Sequence, residues 1–225
     1  MIPWVELDTA AVPHGGGTLK LMRRGGEYSI MAGPIELMNS RLSGSEEALA
    51  RLPAERIGGR ARARMLIGGY GMGFTLRAAQ ALLGPEAGLT VAELVPAVVA
   101  WARGPMAELS GDSLSDPRVT IHTGDVGELI AAGRSDWDAI LLDVDNGPEG
   151  LTRRENDRLY SMAGLAAARR ALTPGGVLAV WSSGRAPAFT ERLGKAGFGV
   201  EEVVVRANAG KRGARHVIWL ATSPG

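Results

Sequence analysis

The chain has no cysteine among its 225 residues. That excludes disulfides, thiolate metal sites and a cysteine nucleophile, and it agrees with a reducing, cytoplasmic setting. Charge of one sign is also missing: 25 Lys and Arg stand against 24 Asp and Glu, a formal net charge of +1. No bulk attraction to nucleic acid or to an anionic membrane follows from that balance. No uninterrupted apolar run reaches about 18 residues, so no membrane-spanning helix is expected. The opening Met-Ile-Pro-Trp-Val-Glu-Leu-Asp has neither a basic start nor a long apolar stretch, and is not expected to be a signal peptide. Aromatics are scarce, at 5% of the chain, and the five Trp read as core anchors, not as a base-stacking platform. His14, His122 and His216 lie far apart without metal-ligand spacing. No metal site is expected, and His122 and His216, inside strand-like runs, read as structural.

Glycine is abundant, and its placement is informative. Met65–Gly73 reads Met-Leu-Ile-Gly-Gly-Tyr-Gly-Met-Gly, an apolar run entering a turn with Gly69, Gly71 and Gly73. A helical stretch leaves the turn, and a second apolar run ends in Glu93, about 20 residues past the last glycine. Strand, glycine turn, helix, strand and acid make a nucleoside site: glycines admit a ligand close to the backbone, and the acid can accept from ribose hydroxyls.

The remaining pattern alternates. Strands are expected at Arg64–Ile67, Leu89–Glu93, Val119–Thr123, Ala139–Asp143, Val177–Ser182, Gly199–Val205 and His216–Ala221. Helices are expected at Phe74–Leu83, Pro96–Gly104, Val126–Ala132, Asn156–Ala171 and Pro187–Ala196. Strand–helix alternation predicts an α/β fold, a doubly wound, mostly parallel seven-stranded sheet. The last two strands are joined by Arg206–Arg215, too short for a helix, so they should pair as an antiparallel hairpin. The cluster Lys211-Arg212-Gly213-Ala214-Arg215 reads as its solvated tip. Residues 1–42 form a small β-rich segment, with a hairpin around Arg24-Gly25-Gly26 and a turn at Gly33-Pro34, ahead of a catalytic domain at 43–225. Ser43 or Ser45 is expected to cap a helix running to about Leu52, before Pro53.

Two further acid positions stand out. Asp125 follows the third core strand, where it could accept from an adenine amine; it is also a good N-cap for the helix from Val126, and the two roles are compatible. Asp143, Asp145 and Asn146 end an apolar strand before Gly147-Pro148. Turn chemistry accounts for some of these residues, but a buried carboxylate needs a partner, which a cationic substrate or sulfonium supplies.

In order along the chain, these motifs resemble the spermidine synthase (polyamine aminopropyltransferase) family on the class I S-adenosylmethionine-dependent methyltransferase fold. Ser45-Glu46-Glu47-Ala48-Leu49-Ala50-Arg51-Leu52-Pro53 is similar to the helix before that family's glycine loop, and Ile67-Gly68-Gly69-Tyr70-Gly71-Met72-Gly73 to the loop itself. Ala92-Glu93-Leu94-Val95-Pro96 resembles the ribose-binding strand end. Asp116-Pro117-Arg118-Val119 through Gly124-Asp125 resembles the adenine region, and Trp137-Asp138-Ala139-Ile140-Leu141-Leu142-Asp143 the strand with the catalytic acid. The resemblance implies Gly69, Gly71, Gly73, Glu93, Leu94, Asp125 and Val126 around the donor, Asp143, Asp145 and Asn146 in catalysis, and Ser45, Glu46 and Tyr160 beside the acceptor. Three positions depart from the family. The acid inside its glycine loop, which holds the donor's amine, falls at Gly71; its channel tyrosine falls at Ser45; its second acid falls at Asn146, next to Asp145.

S-adenosylmethionine carries its own carboxylate, which an acid at position 71 would repel. Its loss therefore predicts S-adenosylmethionine as donor and methyl transfer to a small-molecule acceptor. The alternatives are aminopropyl transfer from decarboxylated S-adenosylmethionine, and a catalytically silent nucleoside-binding scaffold. By the same analogy a homodimer through the β-rich start is expected, and the 147–156 segment is expected to cover the site.

Overall fold

The computed structural model describes residues 2–144, 148, 157–208 and 213–225. Its central element is a seven-stranded sheet ordered β10-β11-β9-β8-β5-β6-β7. β5 (Arg64–Gly68), β6 (Gly88–Glu93), β7 (Val119–Thr123), β8 (Trp137–Leu142) and β9 (Leu172–Ser182) run parallel. β10 (Gly199–Arg206) and β11 (Arg215–Thr222) pair antiparallel with each other, and β11 pairs antiparallel with β9. The terminal hairpin is therefore as the sequence predicts. Met65, Leu66 and Ile67 of β5 and Ala139, Ile140 and Leu141 of β8 are all buried. A parallel sheet covered on both faces has no solvent side, hence continuous apolar runs where an exposed sheet would alternate.

Two cores form on the two faces. One gathers Leu49 and Leu52 of α1 (Gly44–Arg56), Leu76 and Ala79 of α2 (Phe74–Leu82) and Val98 and Trp101 of α3 (Pro96–Arg103). The short α4 (Ala107–Ser110) follows α3 and is not evident in the sequence pattern. The other core gathers Val126 and Ile130 of α5 (Val126–Ala132), Leu165 and Ala168 of α7 (Met162–Ala171) and Phe189 and Leu193 of α8 (Pro187–Lys195).

A separate four-stranded antiparallel sheet precedes this unit: β1 (Val5–Ala11), β2 (Thr18–Arg24), β3 (Glu27–Ala32) and β4 (Ile35–Asn39), in that order. β1 escaped the sequence reading: it is exposed along nearly its whole length, and its Val5-Glu6-Leu7-Asp8 alternation is short. Leu19, Leu21, Tyr28 and Ile30 turn inward and join the α1–α3 core.

The helix expected to stop before Pro53 continues to Arg56. Proline removes one intrahelical donor, but Leu49, Leu52, Ala54 and Ile57 are buried together around it, and that packing holds the turn. Ser43 sits at the N-cap without a side-chain cap bond, its hydroxyl donating instead to Glu47 at 2.7 Å. The helix expected over Asn156–Ala171 is two pieces among the described residues, α6 (Asp157–Tyr160) and α7. Ser161 interrupts it with extended backbone and caps α7 through Gly164 N–H.

Asp138 fastens the amino end of the sheet. Its carboxylate accepts from the Arg64 N–H at 2.8 Å, from Thr173 Oγ1 at 2.9 Å and from the Arg60 guanidinium. Burial alone would raise the carboxyl, but these three donors hold it below its usual 3.8. Asp138→Ala should therefore destabilise the fold by about 2–3 kcal/mol. Because the folded pKa is depressed, this stability is present above the ordinary aspartate value and lost as pH falls through the folded one. Urea midpoints should show a wild-type advantage at about pH 7 that shrinks at about pH 3.

Candidate active site

The sheet order places β5 beside β8 where the winding reverses, so the carboxyl ends of these strands open a crevice. The backbones meet there: Asp143 N–H donates to Gly68 O at 3.4 Å and Gly69 N–H to Ala92 O at 2.8 Å. Gly69 has φ +86°, and a Cβ there would lie 3.1 Å from the Asp143 carbonyl, so only glycine lets the strand ends close. Gly71, at φ +57°, also lines the crevice, and a Cβ on it would meet Met38 Sδ at 2.9 Å. Gly73 instead caps α2 and turns toward Tyr70, away from the crevice lining.

Glu93 ends β6 and is buried, with its carboxylate accepting from Tyr70 N–H and Val95 N–H, each at 2.8 Å. Burial pushes its pKa up, and backbone donors from Val95, Tyr70, Gly71 and Leu94 counter that push. Each oxygen keeps accepting capacity beyond one bond. Asp125 serves as the N-cap of α5, accepting from Gly127 N–H at 2.7 Å, and pairs with Arg158.

On the opposite wall, burial and the negative charge of Glu46 raise Asp143 to about 7. Burial likewise raises Glu46, against a hydrogen bond from Ser45. Ser45 Oγ donates to Glu46 Oε2 at 2.7 Å and lies 2.9 Å from His216 Nδ1. The His216 ring in turn contacts Trp181 edge-on, centroids 4.7 Å apart.

These groups line one cavity of about 690 Å³ between the two sheets. Gly69, Gly71, Glu93, Leu94, Asp125, Val126, Asp143, Ser45 and Glu46 all border it. Tyr160, expected beside an acceptor, does not: it is buried against Phe189, ring centroids 5.6 Å apart, in the core under the sheet. A tyrosine between two short helices gives no sign of which side it faces. Asp145 and Asn146 lie outside the described residues, as do Lys211, Arg212 and the 147–156 segment apart from Pro148. The sequence reading missed Met38, Trp181 and His216 as cavity residues. Trp181 and His216 carried one unused signal, their position at strand ends on the crevice side of the sheet.

Four carboxylates border the cavity, and no Lys or Arg does among the described residues. Asp125 has Arg158 as its counter-charge; among the described residues, Glu46, Glu93 and Asp143 have none of this kind. Three of the four carboxylates thus border the cavity without a cationic partner among the described residues. That donor set fits a nucleoside whose far end is cationic, because buried carboxylates without counter-charges are stabilised by a cation.

The strand order, terminal hairpin, glycine turn and strand-end acid together define the class I methyltransferase-like fold. Solved structures that resemble the chain include spermidine synthases. A spermidine synthase from Thermotoga maritima superimposes with a TM-score of 0.74 at 16% identity, covering 97% of this chain and 72% of that one. A spermidine synthase in complex with the transition-state analogue AdoDATO gives the same values. A probable spermidine synthase from Corynebacterium glutamicum gives 0.64 at 15% identity, covering 96% and 79%. In sequence, the chain is 29% identical over 121 residues to a polyamine aminopropyltransferase of Korarchaeum cryptofilum. It is 34% identical over 126 residues to one of Corynebacterium efficiens. These stretches cover 54% and 55% of this chain but only 36% and 23% of the relatives. No family model matches the chain. The chain thus has the spermidine synthase fold and a local sequence likeness to polyamine aminopropyltransferases. Among the described residues, no helix is long and apolar enough to cross a membrane.

Proposed function

We propose that this protein is a transferase of the aminopropyl type, taking its group from decarboxylated S-adenosylmethionine and passing it to a short aliphatic amine. The observation that carries the reading is the cavity lining, with carboxylates at Glu46, Glu93 and Asp143 and no Lys or Arg among the described residues. Donor and acceptor of that reaction are both cations, and such a wall favours both.

Gly69 and Gly71 border the donor with their backbone. Glu93 accepts from the ribose hydroxyls, and Asp125, Leu94 and Val126 border the adenine. The donor supplies an electrophilic carbon on a sulfonium, so that attack forms a C–N bond, breaks the C–S bond and leaves a neutral thioether. Asp143, poised at about 7, takes the proton that the acceptor ammonium must lose before its lone pair is available. Asp145 and Asn146, two and three positions beyond Asp143 in the sequence, are assigned with it to the acceptor. The rest of the acceleration is alignment of nucleophile and leaving group.

The test is incubation with decarboxylated S-adenosylmethionine and 1,4-diaminobutane, followed by mass spectrometry. Methylthioadenosine and the aminopropylated diamine should appear together. Formation of S-adenosylhomocysteine from S-adenosylmethionine, with the decarboxylated donor inert, would overturn the reading in favour of methyl transfer.

A further inference from the structure

Position 71 carries no acid, and its left-handed backbone (φ +57°) favours glycine. Its Cβ would lie 2.9 Å from Met38 Sδ, so a methionine from the N-terminal sheet occupies the space that a side chain on the turn would need. Beneath the turn lies a small recess bordered by Met38, Gly69, Gly71, Thr75, Glu46 and Asp143. A carboxylate still borders Gly71 there, but it comes from α1 and not from the turn.

Glu46 is fixed in place by a chain of hydrogen bonds. Ser45 uses its only proton on Glu46 Oε2, at 2.7 Å. His216 Nδ1, 2.9 Å from Ser45 Oγ, must therefore be the donor of that bond, which assigns the tautomer. Burial lowers the His216 pKa, so the ring is neutral and brings no positive charge. Glu46 also lies in the first turn of α1, where the helix favours an anion. Among the described residues, no Lys or Arg borders the recess. A held, desolvated carboxylate facing a second one attracts an ammonium and repels a third carboxylate.

We propose that Glu46, held by Ser45 and His216, supplies the charge that the glycine turn lacks, binding the donor's primary ammonium and rejecting a donor that retains its α-carboxylate. The proposal rests on the aminopropyl-transfer reading above. It makes Ser45 functional for a reason other than lining an acceptor channel: its hydroxyl links His216 to Glu46.

The test is calorimetric titration of wild type and Glu46→Gln with three ligands: methylthioadenosine, decarboxylated S-adenosylmethionine and S-adenosylmethionine. Methylthioadenosine lacks the amine and the charge, and it should bind both proteins within about twofold. Decarboxylated S-adenosylmethionine should bind Glu46→Gln at least about tenfold more weakly than wild type. Its advantage over S-adenosylmethionine should shrink in step. Unchanged donor affinity and unchanged preference in Glu46→Gln, with methylthioadenosine bound, would overturn the proposal and leave the functional reading standing. Failure of wild type to bind methylthioadenosine would overturn the functional reading and this proposal with it. Ser45→Ala is the second variant, should Glu46→Gln not fold. It keeps the charge but frees the carboxylate, and should weaken the decarboxylated donor about threefold with methylthioadenosine unchanged; no change there would also overturn the proposal.

Discussion

Asp143→Asn is expected to lower the transfer rate by about 10²–10⁴-fold, the usual contribution of a positioned general base. Methylthioadenosine should still bind within about twofold, because Asn keeps the shape of the strand end. The pH dependence follows from the same group. Burial and the Glu46 charge hold Asp143 near 7, and only its ionised form can take a proton. The wild-type rate should therefore rise as pH passes through about 7 and level off above it. Stability should move the other way. Asp143 has a folded pKa above its unfolded one, so ionising it in the folded state costs free energy, and stability falls as pH rises from about 4 through about 7. Asp143→Asn escapes that loss. Its melting temperature should exceed that of wild type by several degrees at about pH 8, with the gain vanishing near pH 4. A variant that is inactive and more stable is the mark of a carboxylate kept for chemistry. Loss of activity with loss of stability would point to a structural role instead.

Glu93→Ala should abolish nucleoside binding, weakening methylthioadenosine by about 10²-fold or more. Two hydrogen bonds from ribose hydroxyls to a buried carboxylate are worth about 1.5–3 kcal/mol each. The variant should also lose stability, because Tyr70 and Val95 N–H would lose an acceptor that now serves both at 2.8 Å. Titration with methylthioadenosine, beside a thermal melt, checks both effects. Affinity retained within about threefold would mean that the nucleoside lies elsewhere.

Much of this was readable in the chain because it depends on local pattern. The buried parallel strands gave continuous apolar runs, the glycine turn and Glu93 kept their spacing, and the short Arg206–Arg215 link left no room for a helix. What escaped depends on contacts between distant segments. Met38 meets Gly71 only after the N-terminal sheet folds over the crevice. Ser45 and His216 lie 171 positions apart. The absent acid at Gly71 was legible, but its meaning was not: read alone it favours S-adenosylmethionine, whereas the fold brings Glu46 to the same recess. Tyr160 shows the converse, a residue picked for its type and placed by packing into the core against Phe189. α1 passes through Pro53 for a similar reason, since burial outweighs one missing hydrogen bond.

The central claim is that this cavity accepts a cationic nucleoside donor and refuses its carboxylated parent. The most direct measurement offers both at once. Equal concentrations of S-adenosylmethionine and decarboxylated S-adenosylmethionine are mixed with the protein and 1,4-diaminobutane, and the two sulfur products are quantified by mass spectrometry. The account predicts methylthioadenosine in at least about tenfold excess over S-adenosylhomocysteine, matching the charge preference of a site with several carboxylates. An excess of S-adenosylhomocysteine would contradict it.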